Sequence, residues 1–177
     1  AGLPDRQGRV EWAVDWLAAN EDNGHAFLNS YCNTVPTPQG GSHESGLRTA
    51  LIKGLKAHGG RIGNKKAARI TADDIMDGSC LLLSLFIPEP QFHGQTKEKL
   101  SMPEAARLIE VSVKDHFEHW LSEDAEGAIM LLDHVIERTE DRQRRRQDKA
   151  MLRKTATRKL RLPGKLADCT RRDAAGT

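Results

Sequence analysis

From Val10 onward apolar and polar positions alternate. Val10, Trp12, Val14 and Trp16 fall on one face of an extended segment, and Glu11, Ala13, Asp15 and Leu17 on the other. A period of two predicts a β-strand with one apolar face. A second strand is predicted from Ala26 to Asn33, beyond the turn dipeptide Asn23-Gly24, and the two are expected to pair as an antiparallel hairpin. The period then changes. Leu47, Ala50, Leu51 and Leu55 recur at helical spacing, predicting a helix from near Ser42 that Gly59-Gly60 ends. Thr71-Ala72-Asp73-Asp74 reads as an N-cap with an acid three residues on, opening a short helical turn to Met76. The dense apolar run Leu81 to Ile87 predicts an interior strand.

Pro103 suits a first helical turn, and Ala106, Ile109, Val113, Phe117, Trp120 and Leu121 form an apolar stripe behind it. Polar residues 122–126 predict a break, after which Ile129, Leu132, Val135 and Ile136 restart the pattern. Beyond Thr139 apolar positions almost vanish, so this helical stretch is expected to project or to be covered by protein outside this chain. Arg161-Leu162-Pro163-Gly164-Lys165 is expected to stop it, and Cys169 to Thr177 reads as linker. The order strand, strand, helix, strand, helix, long basic helix predicts an α+β domain with helices packed on a sheet. Trp12, Trp16, Phe86, Phe117 and Trp120 are expected to be mostly buried.

Between the apolar strand and Pro103 lies a loop, Pro88 to Met102, held at both ends by regular structure. Gln95, Thr96 and Lys97 place an amide, a hydroxyl and an ammonium on successive positions, a set suited to holding a phosphate and equally compatible with a solvated loop. Gly40 and Gly41 precede a helix and could cradle an anion, but read more simply as its turn. Asp73, Asp74 and Asp77 suit a helix start and a turn without a magnesium ion.

The 177 residues carry a formal charge of +2, which hides an asymmetry. From Arg138 to Lys165 there are twelve Lys or Arg and three Asp or Glu, a charge of +9, leaving −7 for the remainder. Arg142, Arg144, Arg145, Arg146, Lys149, Arg153 and Lys154 are the candidate contacts to nucleic-acid phosphates. Three scattered cysteines, Cys32, Cys80 and Cys169, fit neither a metal signature nor a disulfide framework and point to a reducing cytoplasm. There is no signal-peptide pattern, Walker loop, dinucleotide fingerprint, zinc finger or serine-hydrolase elbow. Nor is there a nucleophile paired with a base, so a free-standing enzyme is a poor reading.

Three motifs in order carry a family resemblance. They are Tyr31-Cys32-Asn33-Thr34-Val35-Pro36-Thr37-Pro38-Gln39-Gly40-Gly41-Ser42-His43-Glu44-Ser45-Gly46-Leu47-Arg48, then Pro88-Glu89-Pro90-Gln91-Phe92 with Gly94-Gln95-Thr96-Lys97-Glu98-Lys99-Leu100, then Leu162 to Cys169. The chain resembles the ATPase subunit of bacterial type IIA DNA topoisomerases. Glu89, where the gyrase form more often has aspartate, favours the topoisomerase IV form. The resemblance implies residues 1–160 as a transducer domain similar in fold to the second domain of ribosomal protein S5. Residues 161–177 would be a linker toward a TOPRIM domain beyond this chain. It implies that Lys97 contacts the γ-phosphate of ATP, with Gln95 assisting, and that the nucleotide and its Mg2+ belong to the full subunit. Implied partners are DNA, the A subunit, a second copy of the B subunit, and the ATP-binding and TOPRIM domains of the same protein, in the bacterial cytoplasm at the nucleoid. The isolated piece is expected to be inactive, and Tyr31 is not the DNA-cleaving tyrosine, which the resemblance assigns to the A subunit. A stand-alone nucleic-acid-binding module with an S5-like fold, and a purely structural interaction domain, are the alternatives.

Overall fold

The computed structural model describes residues 8–16 and 26–159, with side chains through Arg153. Strands β1 (Arg9–Trp16), β2 (Phe27–Cys32), β3 (Val35–Pro36) and β4 (Ser79–Phe86) form one mixed sheet in the order β1-β4-β2-β3. Helix α1 (Ser42–Arg61), a 3-10 turn (Lys65–Arg69), α2 (Ala72–Met76), α3 (Pro103–Glu123) and α4 (Ala125–Lys159) complete the described elements. The α+β class read from the sequence is therefore observed.

The strand pairing differs from expectation. β1 and β2 are not a hairpin: β4 lies between them, antiparallel to β1 and parallel to β2. The physical reason is in β4 itself. It carries Leu81, Leu83 and Leu85 on one face, all fully buried, and such a strand gains most in the middle of a sheet, where both its edges and its apolar face are covered. The Asn23-Gly24 turn lies outside the described residues. The alternation in β1 holds, with Val10 buried, Trp12, Val14 and Trp16 half-buried, and the intervening residues exposed.

Helices α1 and α3 cover the inner face of the sheet. Their buried sides are Leu47, Ala50, Leu51 and Leu55 on α1, and Ala105, Ile109, Val113, Phe117 and Leu121 on α3. The helices approach closely at Gly46, where a Cβ would lie 2.4 Å from the Ala106 carbonyl oxygen. α1 runs through Gly59-Gly60 to Arg61 rather than ending there, and Gly59 leaves room for Ala67, 2.3 Å from where its Cβ would stand. Asp124 ends α3 as the polar break predicts, and its carboxylate accepts from Gly127 N–H at 2.9 Å as α4 begins.

The five aromatics expected to be mostly buried are so: Phe117 is fully buried, and Trp12, Trp16, Phe86 and Trp120 keep only a minor part of their surface exposed. Trp16, Phe117 and Trp120 pack together with centroids 5.9–6.5 Å apart, and the Trp16 indole N–H donates to the Ile75 carbonyl at 3.0 Å. Their polar edges and the margin of the sheet keep the tryptophans from complete burial. Phe86 faces outward beneath the Arg9 guanidinium, 5.3 Å from its ring centre.

Asp74 is buried and accepts from the Thr71 N–H and hydroxyl at 2.8 Å each and from the Thr139 hydroxyl at 3.0 Å. The capping acid thus joins the start of α2 to α4. The chain divides into two units after Thr139. In the second unit α4 continues as a helix, and Arg144, Arg145, Arg146, Lys149 and Arg153 are exposed. Residues 160–177, with the expected stop and linker, lie outside the described residues, as does the side chain of Lys154.

Candidate functional site

The loop after β4 is tied, contact by contact, to the segment between β2 and α1. At its start, Asn33 adopts a left-handed backbone at φ 49°. Its side-chain amide donates to the Ile87 carbonyl at 2.8 Å and accepts from the Ile87 N–H at 3.0 Å, while its own N–H donates to Leu85 O at 2.8 Å. One asparagine thereby extends the β2–β4 pairing past the point where regular strand stops.

The loop then folds back on itself. Ser101 N–H donates to Gln91 O and His93 N–H to Lys99 O, both at 2.8 Å, and Phe92 bridges Leu100 in antiparallel register. These contacts close a narrow base beneath a tip formed by Gly94, Gln95, Thr96 and Lys97. The base is seated on the glycine pair. Leu100 N–H donates to Gly40 O and Ser42 N–H to Leu100 O, each at 3.0 Å, and Ser42 Oγ accepts from Met102 N–H at 3.2 Å. Gly41 sits at φ 144°, and a Cβ there would stand 2.3 Å from Leu100 O. Only glycine lets the two backbones meet this closely. The glycine pair is therefore the seat of the loop, and the leading amide of α1 is spent on Leu100. The turn reading of Gly40-Gly41 holds.

Nearer the tip, Gln39 N–H donates to Glu98 O at 3.0 Å and the Gln39 side-chain amide donates to the Glu98 carboxylate. Beneath the seat lies a buried polar cluster. Ser30 Oγ donates to Glu44 Oε1 at 2.6 Å and lies 2.6 Å from Thr37 Oγ1, which lies 2.9 Å from His43 Nε2. Burial pushes His43 down to about 4, keeping its ring neutral. These groups hold one another and shape the fold.

Gln95, Thr96 and Lys97 are brought together at the tip, exposed, and their side chains make no hydrogen bond or ion pair to any described residue. Lys97 is held in the left-handed region at φ 56°. Lys99 is exposed on the returning limb. Among the described residues no group of three or more His, Cys, Asp or Glu side chains could hold a metal ion. Asp73 faces Arg48 at 3.7 Å while Asp74 is committed to Thr71 and Thr139. The tip can offer a phosphate one contact from outside, but it does not enclose a nucleotide. Periodicity could not single out Asn33, Gln39, Ser42 and Glu98; the only signal was their place within the two matching motifs.

In the second unit the basic run is not uniform. With 3.6 residues per turn, Arg142, Arg146, Lys149 and Arg153 recur at i, i+4, i+7 and i+11 and fall within about 60° of arc over roughly 17 Å. Glu140, Asp141 and Asp148 lie on the opposite side, together with Arg144, whose guanidinium is 3.9 Å from Asp141. Arg145 flanks the stripe.

The sequence model of the family described as DNA gyrase B matches residues 3–151. The chain is 54% identical over 169 residues to the B subunit of DNA topoisomerase 4 from Bartonella bacilliformis, covering 96% of this chain and 24% of that protein. It is 38% identical over 165 residues to the Escherichia coli protein of the same name, covering 93% and 25%. The chain thus spans about a quarter of the length of these curated relatives. Among solved structures it resembles the topoisomerase IV ATP-binding domain of Francisella tularensis, in complex with a small-molecule inhibitor, with a TM-score of 0.67 at 29% identity over 76% of this chain and 36% of that one. It also resembles the 43K ATPase domain of Thermus thermophilus gyrase B, in complex with an aminocoumarin, with a TM-score of 0.66 at 26% identity over 80% and 38%. By these matches in sequence and fold, the chain belongs to the DNA gyrase B family.

Proposed function

We propose that this chain is the transducer portion, S5-like in fold, of a topoisomerase IV B subunit, and that it reports the state of a nucleotide held by the preceding ATP-binding domain to the DNA-handling parts of the enzyme. The observation that carries the reading is the seated loop. Four sets of contacts, from Asn33, Gln39, Gly40-Gly41 and Ser42, fix its limbs while Gln95, Thr96 and Lys97 remain uncommitted at its tip. A rigid base with a cation at its end that has no partner among the described residues suits a contact made across a domain boundary.

In this reading ATP, with Mg2+, supplies the phosphate charge in the full subunit. Lys97 offers a compact positive charge to the terminal phosphate, and Gln95 an amide beside it. Because the limbs are tied to β4 and the start of α1, the presence or loss of that contact acts on the sheet rather than on a slack loop. The second copy of the subunit, the A subunit and the TOPRIM domain complete a gate that captures a DNA segment. The stripe Arg142, Arg146, Lys149 and Arg153 is the best-organised surface for its phosphates. Such contacts track the backbone and carry no base preference. On this reading the work is done on DNA in the bacterial cytoplasm.

The test is steady-state ATP hydrolysis by the full-length subunit. Lys97→Ala is expected to slow turnover by about a hundredfold or more, as for removal of one donor at other anion-stabilising sites. Lys99→Ala should be nearly silent, and melting temperature should hold for both. A folded Lys97→Ala subunit with wild-type turnover would overturn the proposal. Hydrolysis by the 177-residue chain alone would also contradict it.

A further inference from the structure

We propose that Gln39 and Glu98 act together as positioning residues for Lys97, a role that rests on the reading of Lys97 as the phosphate contact. Three observations converge. Gln39 meets Glu98 twice, through its N–H to the Glu98 carbonyl at 3.0 Å and through its side-chain amide to the carboxylate. Glu98 directly follows Lys97 and is half-buried, whereas Gln95, Thr96, Lys97 and Lys99 are exposed. It is thus the fixed point nearest the tip. Lys97 itself is at φ 56°, a conformation a lysine does not adopt unless its neighbours over-determine it.

The chemistry of the pair fits the task. With its carboxylate held by the Gln39 amide, Glu98 is drawn toward the start of α1 and away from the ammonium beside it in sequence. Released, the carboxylate would be free to swing toward Lys97 and neutralise the charge the loop is built to present. The side-chain contact thus serves two ends: it fixes the backbone that aims Lys97, and it keeps an adjacent anion off it. Since Gln39 precedes the glycine pair, the clamp links the loop tip to α1 independently of the Leu100 seat. A misaimed lysine loses more in the reaction than in initial binding, because the contact matters most as phosphate charge develops.

The experiment is steady-state ATP hydrolysis by full-length subunits carrying Gln39→Glu, Gln39→Ala, Glu98→Gln, the exchange Gln39→Glu/Glu98→Gln, and Lys97→Ala. Gln39→Glu places two carboxylates together and is expected to lower kcat about tenfold, with KM for ATP within about twofold. Gln39→Ala removes the donor without adding charge and should lower kcat about threefold, which tests the role even if Gln39→Glu does not fold. The exchange restores one donor and one acceptor and should recover kcat to within about twofold of wild type. A merely structural role predicts the recovery as well but not a loss confined to kcat, so the kcat-only loss is the discriminating result. Wild-type kcat in Gln39→Ala, or an exchange variant as slow as Gln39→Glu, overturns the positioning role. If Lys97→Ala is slow while both Gln39 variants are normal, the positioning role falls and the reading of Lys97 stands. If Lys97→Ala turns over normally, the underlying reading falls and this proposal with it.

Discussion

Replacing Gly41 with alanine tests whether the glycine pair is the seat of the loop. The added Cβ would stand 2.3 Å from Leu100 O, 2.6 Å from its N and 2.9 Å from its carbonyl carbon. All three are backbone atoms, so no side chain can swing aside. The position also lies at φ 144°, ψ −158°, a region essentially reserved for glycine. If the chain keeps its path, the strain is about 1–3 kcal/mol. If the two segments part, the Gly40–Leu100 and Ser42–Leu100 bonds are lost at about 1 kcal/mol each, and Leu100, now 1% exposed, gives up about 2 kcal/mol of burial. The first route costs about 1–3 kcal/mol and the second about 4 kcal/mol, a large share of a typical domain's margin. With a urea dependence of about 2 kcal/mol per molar, the midpoint should fall by roughly 0.5–2 M. Gly60→Ala is the control: it lies in the last turn of α1 with nothing within 4 Å of its Cβ, and should be neutral or stabilise by up to about 1 kcal/mol. Amide exchange at Ser42 and Leu100 should accelerate in Gly41→Ala and not in Gly60→Ala. An unchanged midpoint with protected amides in Gly41→Ala would refute the reasoning.

Other outcomes are expected from the same structure. Asp74→Ala should cost about 2–4 kcal/mol in thermal unfolding, since the Thr71 N–H and hydroxyl and the Thr139 hydroxyl lose a buried acceptor; a loss under 1 kcal/mol would contradict its place as a hub. His43 is fully buried and held down at about 4, below the ordinary unfolded value near 6.5. Between those values the unfolded chain takes up a proton that the folded chain does not, so stability should be full above pH 6.5 and fall by up to roughly 3 kcal/mol toward pH 4. Denaturation midpoints at pH 7 and pH 4.5 check this, and His43→Gln should reduce the acid loss. Neutralising Arg142, Arg146, Lys149 and Arg153 together should weaken duplex-DNA binding and flatten its salt dependence by about three to four in log–log slope, whereas neutralising Arg144, which faces Asp141, should change it little. A flattening by Arg144 equal to a quarter or more of that from the stripe would remove the argument from the stripe.

Local pattern was enough to find most elements. The one-faced alternation of β1, the stripe Ile109, Val113, Phe117 and Leu121, the break at Asp124 and the capping acid Asp74 all follow from neighbours within a few residues. Strand order did not, because the partner of β1 lies some seventy positions along the chain and a turn dipeptide says nothing about what slides between two strands. The aromatics are mostly buried as their periodicity predicts, but periodicity identifies only the inward face and not how near the sheet's margin a residue stands. At the site, the loop was legible from its prolines and glycine. Its seat was not, since Gly41 and Leu100 are brought together only by the completed fold, and neither carries a functional group that would mark it.

The placement of β4 also bears on how the chain can be made. Among the described residues it is the strand that joins β1 to β2, and it is synthesised after both. Cys32 is finished 54 residues before Phe86, roughly 3–10 s at ordinary ribosomal speeds. Through that interval the early strands hold hydrogen-bonding edges with no mate in the sheet, and the apolar side of β1 has no leucines to meet. A nascent chain stalled before Ser79 would therefore be a target for chaperones or a seed for clumping, while one that has passed Phe86 can zip both edges at once.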